Sequence, residues 1–230
     1  MSILSTENAH LTVLNLFSTD SMKKQEQLLR AMREIVDAAA YPGWISSTVH
    51  SGIGRPGTAN VILWRSGEDL EARYAGEEFK HRTLPLFREI TTFIKLLQTT
   101  VVFTQHGSSP GAGVEMSPAN ADYTVIELFG VVNENQDELV DVLGPGQDWM
   151  SEVPGYRAHA VLRGKGARGL DGAFAVAYSQ WDDKESYDTF RAVPDSDQTD
   201  CRRKAAARLA SLVTFSESNS YRVLHTRSAP

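Results

Sequence analysis

Apolar and polar residues alternate along several stretches of this chain. β-Branched and aromatic side chains at every second position are typical of a strand with one buried face. The alternation predicts strands at about 10–18, 59–65, 98–106, 122–132 and 218–226, and one more that ends at His50. Between these strands, the spacing of the apolar residues changes to that of helices.

Apolar residues three and four positions apart predict a helix over residues 23–40. A second such segment covers 135–150, although Gly144-Pro145-Gly146 is expected to break it early. Two further helical regions follow later, broken near Pro85 and near Pro194. Each half of the chain therefore has the order strand, helix, strand, strand, helix, strand.

The two halves also share sequence, which indicates an internal repeat. Leu11–Phe17 (LTVLNLF) returns as Tyr123–Phe129 (YTVIELF), 112 positions later. Pro42–Trp44 (PGW) returns as Pro154–Tyr156 (PGY) at the same offset. Two matches in one register favour a duplication over chance.

A third match requires an insertion. Trp64, at the end of its strand, returns as Trp181, 117 positions later. The five extra residues fit in the glycine-rich stretch 163–172, which we predict to be a longer loop. A run of Gly, Ser and Pro at 107–120 is typical of a linker between the two copies.

The predicted fold is α+β, with two tandem ferredoxin-like (βαββαβ) units. The first unit covers 1–106, the linker 107–120, and a second, diverged unit 121–230. A four-stranded sheet with helices on one side leaves its other face in need of a partner. The two sheets can pack together within one chain or exchange partners across a dimer.

Composition excludes several classes of function. The 230 residues are 41% hydrophobic and 23% charged, with a net charge of -6, as in ordinary soluble proteins. There is no block of Lys and Arg, which argues against nucleic acid or an anionic membrane as a partner. The single cysteine, Cys201, and the absence of a signal or long apolar segment predict a soluble cytoplasmic protein.

Candidate chemistry is concentrated in Tyr41–Tyr74. Asn60 and Trp64 are four apart on one strand, so they share a face. The glycine-rich loop at 51–57 can fold the strand that ends at His50 back against this one. We therefore expect an amide, an indole and an imidazole to converge on one pocket. No cluster of Cys and His has the spacing of a metal site, so no metal is expected.

This stretch is similar to the antibiotic biosynthesis monooxygenase family, a branch of the dimeric α+β barrel superfamily. The resemblance rests on PGW at 42–44, GTANVILWRS at 57–66 and EEFKHRT at 77–83. Asn60 and Trp64, with His50 ten residues before the Asn, resemble the cofactor-independent anthrone oxygenases of aromatic polyketide pathways. Those enzymes use Asn and Trp to bind the phenol and oxygen and need neither metal nor bound flavin. The resemblance implies a homodimer.

The chain departs from that pattern in both halves. The family places a Tyr six residues beyond the Trp, where the first half has Leu70. The second half has this residue, Tyr187, but Ala177 replaces the Asn and Leu162 the His. Only the first half keeps the fuller set.

Tandem members of the family resemble the oxygenases that open the B ring of angucycline polyketides, on routes to jadomycin-, gilvocarcin- and kinamycin-type products. That resemblance implies reduced flavin (FMNH2 or FADH2) as a reductant, and with it a flavin reductase as a partner. The expected substrates are O2 and an aromatic polyketide, which is oxidised to a quinone or opened.

We assign hypothetical roles on this basis. His50 would act as the base, because its ordinary pKa is near neutrality. Asn60 would donate a hydrogen bond to the substrate oxygen or peroxide, and Trp64 would stack on the fused rings. The candidate substrate-binding residues are Trp44, Tyr74, Arg82, Arg88, Trp181 and Tyr187.

Other interpretations stay open. Trp64 could be core, His50 solvated beside its loop, and the two arginines surface charges on a helix. Haem degradation occurs in the same superfamily; Asn15 and His81 fit its pattern, but the helical Trp is missing. A non-catalytic binding protein is the third alternative, with 121–230 as a buttress that has lost a matching pocket.

Overall fold

The computed structural model of the chain describes residues 2–107, 109–120 and 122–230. The strands are β1 (Ser2–Leu4), β2 (Leu11–Ser18), β3 (Trp44–Gly52), β4 (Gly57–Trp64), β5 (Phe93–His106), β6 (Ser109–Pro110), β7 (Val114–Met116), β8 (Tyr123–Val131), β9 (Tyr156–Arg168), β10 (Ala173–Trp181) and β11 (Val213–Ser228). The α-helices are α1 (Met22–Ala38), α2 (Gly67–Ala75), α3 (Leu84–Ile90), α4 (Gln136–Leu143), α5 (Lys184–Ala192) and α6 (Asp200–Leu212). A π-helical turn lies at Phe79–Thr83, and 3₁₀ turns lie at Pro118–Asn120, Asn133–Asn135, Pro145–Glu152 and Asp195–Asp197. Three residues lie outside the described ones. Two of them, Met1 and Ala121, are the predicted first residues of the two units, and the third, Ser108, belongs to the predicted linker.

Eight of the strands form one closed antiparallel barrel, in the order β2–β4–β3–β11–β8–β10–β9–β5 and back to β2, while β6 pairs only with β5. We call residues 2–107 the first half and residues 122–230 the second half. The halves meet where β3 pairs with β11 and β5 with β9. The barrel therefore closes within one chain, and the homodimer that the resemblance implies stays a prediction.

The barrel interior is a continuous apolar core, as expected for eight strands whose inward side chains fill the space. It includes Leu14, Leu16, Val61, Leu128, Val176 and Phe174. The short sheet formed by β1 and β7 adds Leu4, Val114 and Met116, all fully buried, to the same core. Val114 and Met116, which lie in the stretch predicted as a linker, thus contribute to the core, and the division into two domains stays a prediction.

Helix α1 covers the outer face of the first half. It begins after Ser21, whose side-chain oxygen accepts a hydrogen bond from the Lys24 amide. Its buried face, Leu28, Met32 and Val36, packs in one apolar cluster with outward-facing residues of β2 and β4. This arrangement covers the first half tightly.

The second half is covered more thinly. Helix α4 ends at Leu143, since Gly144 and Pro145 interrupt it where the sequence predicted a break. None of the residues of α5 is buried, and α6 buries only Leu212. These helices leave a large space above the strands.

Two sequence predictions are corrected by the strand pairing. The stretch 163–172 is not mainly a loop, because β9 continues to Arg168 and pairs there with β5. The insertion lengthens a strand. The last strand of each half is also longer than predicted, because β5 begins at Phe93 and β11 spans Val213–Ser228.

Candidate functional site

A small pocket lies on the outer face of the first half, between the sheet and the cover formed by α1, α2 and α3. Its volume is about 70 Å³. Since one water molecule takes about 30 Å³ of liquid volume, the pocket has room for roughly two of them. Its apolar lining includes Met32, Val36, Ile62, Leu70, Phe79 and Phe87.

Two amides lie side by side on the floor of this pocket. Asn15 of β2 and Asn60 of β4 are directly paired in the strand register, and both side chains face outwards. Each residue is buried, and neither Oδ1 has a hydrogen-bond partner within the described residues. Two carbonyl oxygens are therefore available to accept hydrogen bonds from a bound molecule.

Two donors complete the polar part of the pocket. Trp64 shares the face of Asn60, as its spacing predicted, and Tyr74 comes from the buried face of α2. The Trp64 Nε1 and the Tyr74 hydroxyl are buried and have no partner in the part of the chain that the structure describes. Burial raises the pKa of Tyr74 to about 12, so its phenol stays protonated at neutral pH and can donate.

These four atoms are half of the eight buried, unpartnered side-chain polar atoms among the described residues. Buried polar groups in proteins are nearly always hydrogen-bonded, because leaving one unpaired costs about 1–3 kcal/mol. A group of four around one cavity is the arrangement expected of a site that binds a polar ligand.

Trp44 lies in the same pocket but differs in its chemistry. A shift in register beside Ile45 places it opposite Trp64 on the neighbouring strand. Its Nε1 donates to the Ser47 hydroxyl at 2.9 Å. Trp44 therefore supplies a wall of the pocket and no free hydrogen-bond donor.

Arg73 also lines this pocket and was missed by the sequence analysis. Its side chain is only 9% exposed and lies 3.4 Å from Glu78. It donates to the Tyr41 hydroxyl at 3.0 Å and lies 4.0 Å above that ring. Its place three positions after Leu70, on the buried side of α2, was the available signal.

His50 does not join this pocket. It is paired with Ala59, a residue of the interior core, whereas Asn60 faces the helices. The predicted convergence of His50 with Asn60 and Trp64 is wrong, because the hairpin register places the imidazole on the other face of the sheet.

Both nitrogens of the fully buried His50 have partners inside the barrel. Nδ1 lies 3.2 Å from the Thr48 carbonyl oxygen, and Nε2 lies 3.0 Å from the Tyr178 hydroxyl. Because a carbonyl only accepts, Nδ1 carries the proton and Nε2 accepts from Tyr178. Burial lowers the pKa of His50 to about 4, which leaves the ring neutral and without access to a substrate.

The two arginines predicted to bind substrate also lie elsewhere. Arg82 and Arg88 are exposed and do not line the pocket, which agrees with their alternative interpretation as surface charges. His81, part of the haem-degradation pattern, is exposed and pairs with Glu77 at 3.2 Å. Of that pattern, only Asn15 reaches the pocket.

Trp181 and Tyr187 lie together in a different pocket, on the outer face of the second half, with their ring centroids 5.4 Å apart. This pocket has a volume of about 500 Å³. The expectation that the second half has lost a matching pocket is therefore wrong, and its pocket is the larger one.

The part of the chain that the structure describes lacks both a metal cluster and a membrane-spanning helix. No group of three His, Cys, Asp or Glu side chains is placed to hold a metal ion. The helices in the part of the chain that the structure covers are too short or too polar to cross a membrane.

Comparison with solved structures finds a near relative. A structure described as an anthrone oxidase-like protein is 54% identical to the chain, with a TM-score of 0.97, and the match covers 99% of this chain and 96% of that one. No protein-family model and no curated protein matches the chain.

More distant structures share the fold alone. A candidate monooxygenase from Fusobacterium nucleatum matches with a TM-score of 0.62 at 11% identity, over 96% of this chain and 95% of that one. Another from Lactobacillus acidophilus matches with a TM-score of 0.56 at 8% identity, over 96% and 99%. The chain thus belongs to the same family as the anthrone oxidase-like protein.

Proposed function

We propose that the protein is an oxygenase that oxidises a polycyclic aromatic polyketide with O2 at the pocket around Asn60 and Trp64. The observation that carries this proposal is the group of four unpartnered polar atoms, on Asn15, Asn60, Trp64 and Tyr74. The 54% identity to an anthrone oxidase-like protein supports the same class of reaction. The substrate is an anthrone or a related electron-rich phenol.

The reaction needs no outside reductant when the substrate is an anthrone. Triplet O2 reacts slowly with closed-shell molecules, but an electron-rich phenolate can donate an electron to it. The ring carbon then forms a bond to oxygen as a peroxide, which takes up a proton. Loss of water leaves a carbonyl, so one oxygen atom enters the quinone and the other enters water.

The pocket can position and polarise the substrate. The Oδ1 atoms of Asn15 and Asn60 accept hydrogen bonds from substrate hydroxyls and fix the orientation of the ring. The Trp64 N–H and the Tyr74 O–H donate to the oxygen on which negative charge develops. Fixed donors in a dry site are worth far more than in water, because they need no reorganisation.

Arg73 takes the role that the sequence analysis gave to Arg82 and Arg88. Its charge lies at the pocket wall, only partly offset by Glu78, whose side chain is 55% exposed. A nearby cation favours the phenolate form of the substrate. The described pocket lining contains no His, Asp or Glu, so the substrate proton leaves to solvent rather than to His50.

A polycyclic substrate requires the cover to move. The cavity of about 70 Å³ is too small for several fused rings, and the segment between α2 and α3 lies above it. This segment contains the π-helical turn Phe79–Thr83, a geometry that is frequent at functional sites. We infer that it opens to admit substrate and closes again to exclude water.

Reduced flavin, which also has three fused rings, would likewise need the cover to open before it could enter this pocket of about 70 Å³. The narrower proposal, opening of an angucycline B ring, needs two further electrons for each O2 and therefore an external reductant. The requirement for a reductant separates the two reactions. We propose a flavin reductase as a partner on the basis of the family resemblance. We propose a tandem pair of ferredoxin-like units on the basis of the internal repeat.

The test is oxygen uptake by the purified protein with 1,8-dihydroxyanthrone and no reductant. We expect one O2 per quinone formed, and a loss of about 10²-fold in rate for Asn60→Ala, because a substrate misplaced by about 1 Å loses rate on this scale. The exposed Asn133→Ala is the matched control and should keep the wild-type rate. Uptake that survives Asn60→Ala would contradict the assignment of the site, and uptake only with reduced FMN would favour ring opening.

A further inference from the structure

The second half has its own pocket, which the proposed reaction does not use. It lies between β8, β9 and β10 and the loosely packed helices α4, α5 and α6. Its volume of about 500 Å³ falls within the roughly 300–1,000 Å³ typical of ligand sites. A cavity of this size can admit a ligand of several rings without any movement of its cover.

The floor of this second pocket is equivalent to the floor of the first. Glu127 and Ala177 are paired in the register of β8 and β10, as Asn15 and Asn60 are on β2 and β4. Ala177 lacks most of the bulk of an Asn, which adds space to the pocket. The same two places in the sheet thus have a different size and a different chemistry.

His159 supplies the unpartnered polar atom of the second pocket. It is 2% exposed, lines the pocket, and has no partner for Nε2 within the described residues. Its Nδ1 lies 2.7 Å from the Tyr156 hydroxyl, which also lies 3.4 Å from the Gln105 carbonyl oxygen. Both groups are satisfied when Nδ1–H donates to Tyr156 and Tyr156 donates to Gln105, which leaves Nε2 as a free acceptor.

Aromatic side chains form the walls. Phe190 lies 4.8 Å from Trp181 and 6.2 Å from Trp149, measured between ring centroids. The Trp181 Nε1 already donates to Ser179 at 3.1 Å, so this indole offers its ring rather than its N–H. Such flat apolar surfaces favour a planar aromatic ligand.

Glu127 adds a second polar group. Burial raises the pKa of its carboxyl, while the positive charge of Arg191 opposes this effect. In its protonated form, this carboxyl can donate a hydrogen bond. The floor of the pocket therefore has two polar side chains, Glu127 and His159.

We propose that this second pocket is a separate binding site for a planar aromatic ligand of about three fused rings, whose hydroxyl donates a hydrogen bond to Nε2 of His159. The ligand lies between the aromatic walls, and Glu127 is the second polar group on the floor beneath it. Each chain then has two ligand sites of different chemistry. The second site does not depend on oxygenase activity at the first.

The probe is 1,8-dihydroxyanthraquinone, which has the three rings and the hydroxyl and does not react with O2. Its binding is followed by visible absorbance and by equilibrium dialysis at fixed protein concentration. We expect saturable binding, and Ala206→Trp, on the pocket side of α6, should abolish the part of it that depends on His159. The matched control is Ala207→Trp, which lies one residue along the same helix, is exposed outside the pocket, and should bind as the wild type does.

A second variant tests the hydrogen bond. His159→Phe keeps a ring beside Phe103, 5.1 Å away, and should weaken binding about tenfold, the equivalent of 1.4 kcal/mol.

Binding that is unchanged in both Ala206→Trp and His159→Phe would overturn the proposal. Binding of FMN but not of the anthraquinone would overturn the assignment of a phenolic ligand. Asn60→Ala should leave His159-dependent binding intact, so failure of the oxygenase assignment can be recognised separately.

Discussion

The two halves of the barrel carry pockets at the same place on the sheet, but the pockets differ about sevenfold in volume, about 70 Å³ against about 500 Å³. In the first half, the paired positions on the floor are Asn15 and Asn60. In the second half, they are Glu127 and Ala177. A shared fold therefore fixes where a pocket forms, and single residues on its floor decide what it can bind.

The covering helices account for much of the difference in volume. Helix α1 has 17 residues and packs Leu28, Met32 and Val36 onto the strands. Helix α4 has eight residues and stops at Gly144, and α5 buries none of its side chains. A tight cover excludes water and strengthens the polar contacts around Asn60, whereas a loose cover gives free entry to a large ligand.

The largest expected effect on stability concerns the buried histidines, His50 inside the barrel and His159 on the pocket floor. Burial lowers the pKa of each to about 4. The unfolded chain takes up protons below about pH 6.5, so stability is lost as the pH falls from there towards 4. Each histidine contributes on the order of 3 kcal/mol to this loss.

Urea unfolding at several pH values between 8 and 4 measures this loss. His159→Phe should reduce the loss of unfolding free energy between pH 6.5 and pH 4 by the contribution of His159, because a Phe side chain binds no proton. The control is His81→Gln, at a position whose side chain is 71% exposed, which should keep the wild-type profile. An unchanged slope in His159→Phe would show that its ring is not buried as described.

The next prediction concerns the rate of oxygen uptake and distinguishes the roles of the two tryptophans of the first pocket. Trp64→Phe keeps a ring but removes the free N–H, and should slow oxygen uptake about a hundredfold. Trp44→Phe removes an N–H that is already bonded to Ser47, so its loss of rate should be much smaller. Equal losses of rate in the two variants would show that the free N–H of Trp64 has no role that Trp44 lacks.

The smallest expected effect concerns Glu127. Burial raises the pKa of the Glu127 carboxyl, so the folded state holds this proton more tightly than the unfolded chain does. The stability gained from the proton is fully present below about pH 4.3 and is lost as the pH rises. Glu127→Gln should therefore raise the free energy of unfolding at pH 8 and leave it unchanged at pH 4. A gain at pH 4 of the same size would point to packing instead of charge.

Some parts of this structure could be read from sequence. Strand alternation placed Asn60 and Trp64 on one face, and Gly144 and Pro145 marked the end of α4. Both depend on local geometry, which repeats every two residues in a strand and is interrupted by Pro in a helix.

His50 could not be placed in this way, because its face depends on the register across the hairpin. Pairing of His50 with Ala59 sends the imidazole inwards. The register shift beside Ile45 also changes the alternation within β3, so Trp44 and His50 face opposite sides although they are six residues apart. A bulge of this kind leaves no clear mark in one sequence.

The second pocket was missed for a different reason. Its chemistry comes from Glu127 and His159, which match no motif, and its volume results from helices that pack poorly. In the sequence, Ala177 in place of the Asn indicated that the second half had lost its function. In the structure, the smaller Ala side chain enlarges the second pocket. Substitutions that remove one chemistry from a pocket can therefore permit another.

The most direct test of the central claim measures urea unfolding and oxygen uptake in parallel for Asn60→Leu. Leu has a similar size and removes a buried, unpartnered carbonyl oxygen, whose burial costs about 1–3 kcal/mol. If Asn60 is kept for catalysis, the variant should be more stable than the wild type and should lose oxygen uptake with 1,8-dihydroxyanthrone. A variant that is less stable and still takes up oxygen at the wild-type rate would show that Asn60 is structural and that the reaction takes place elsewhere.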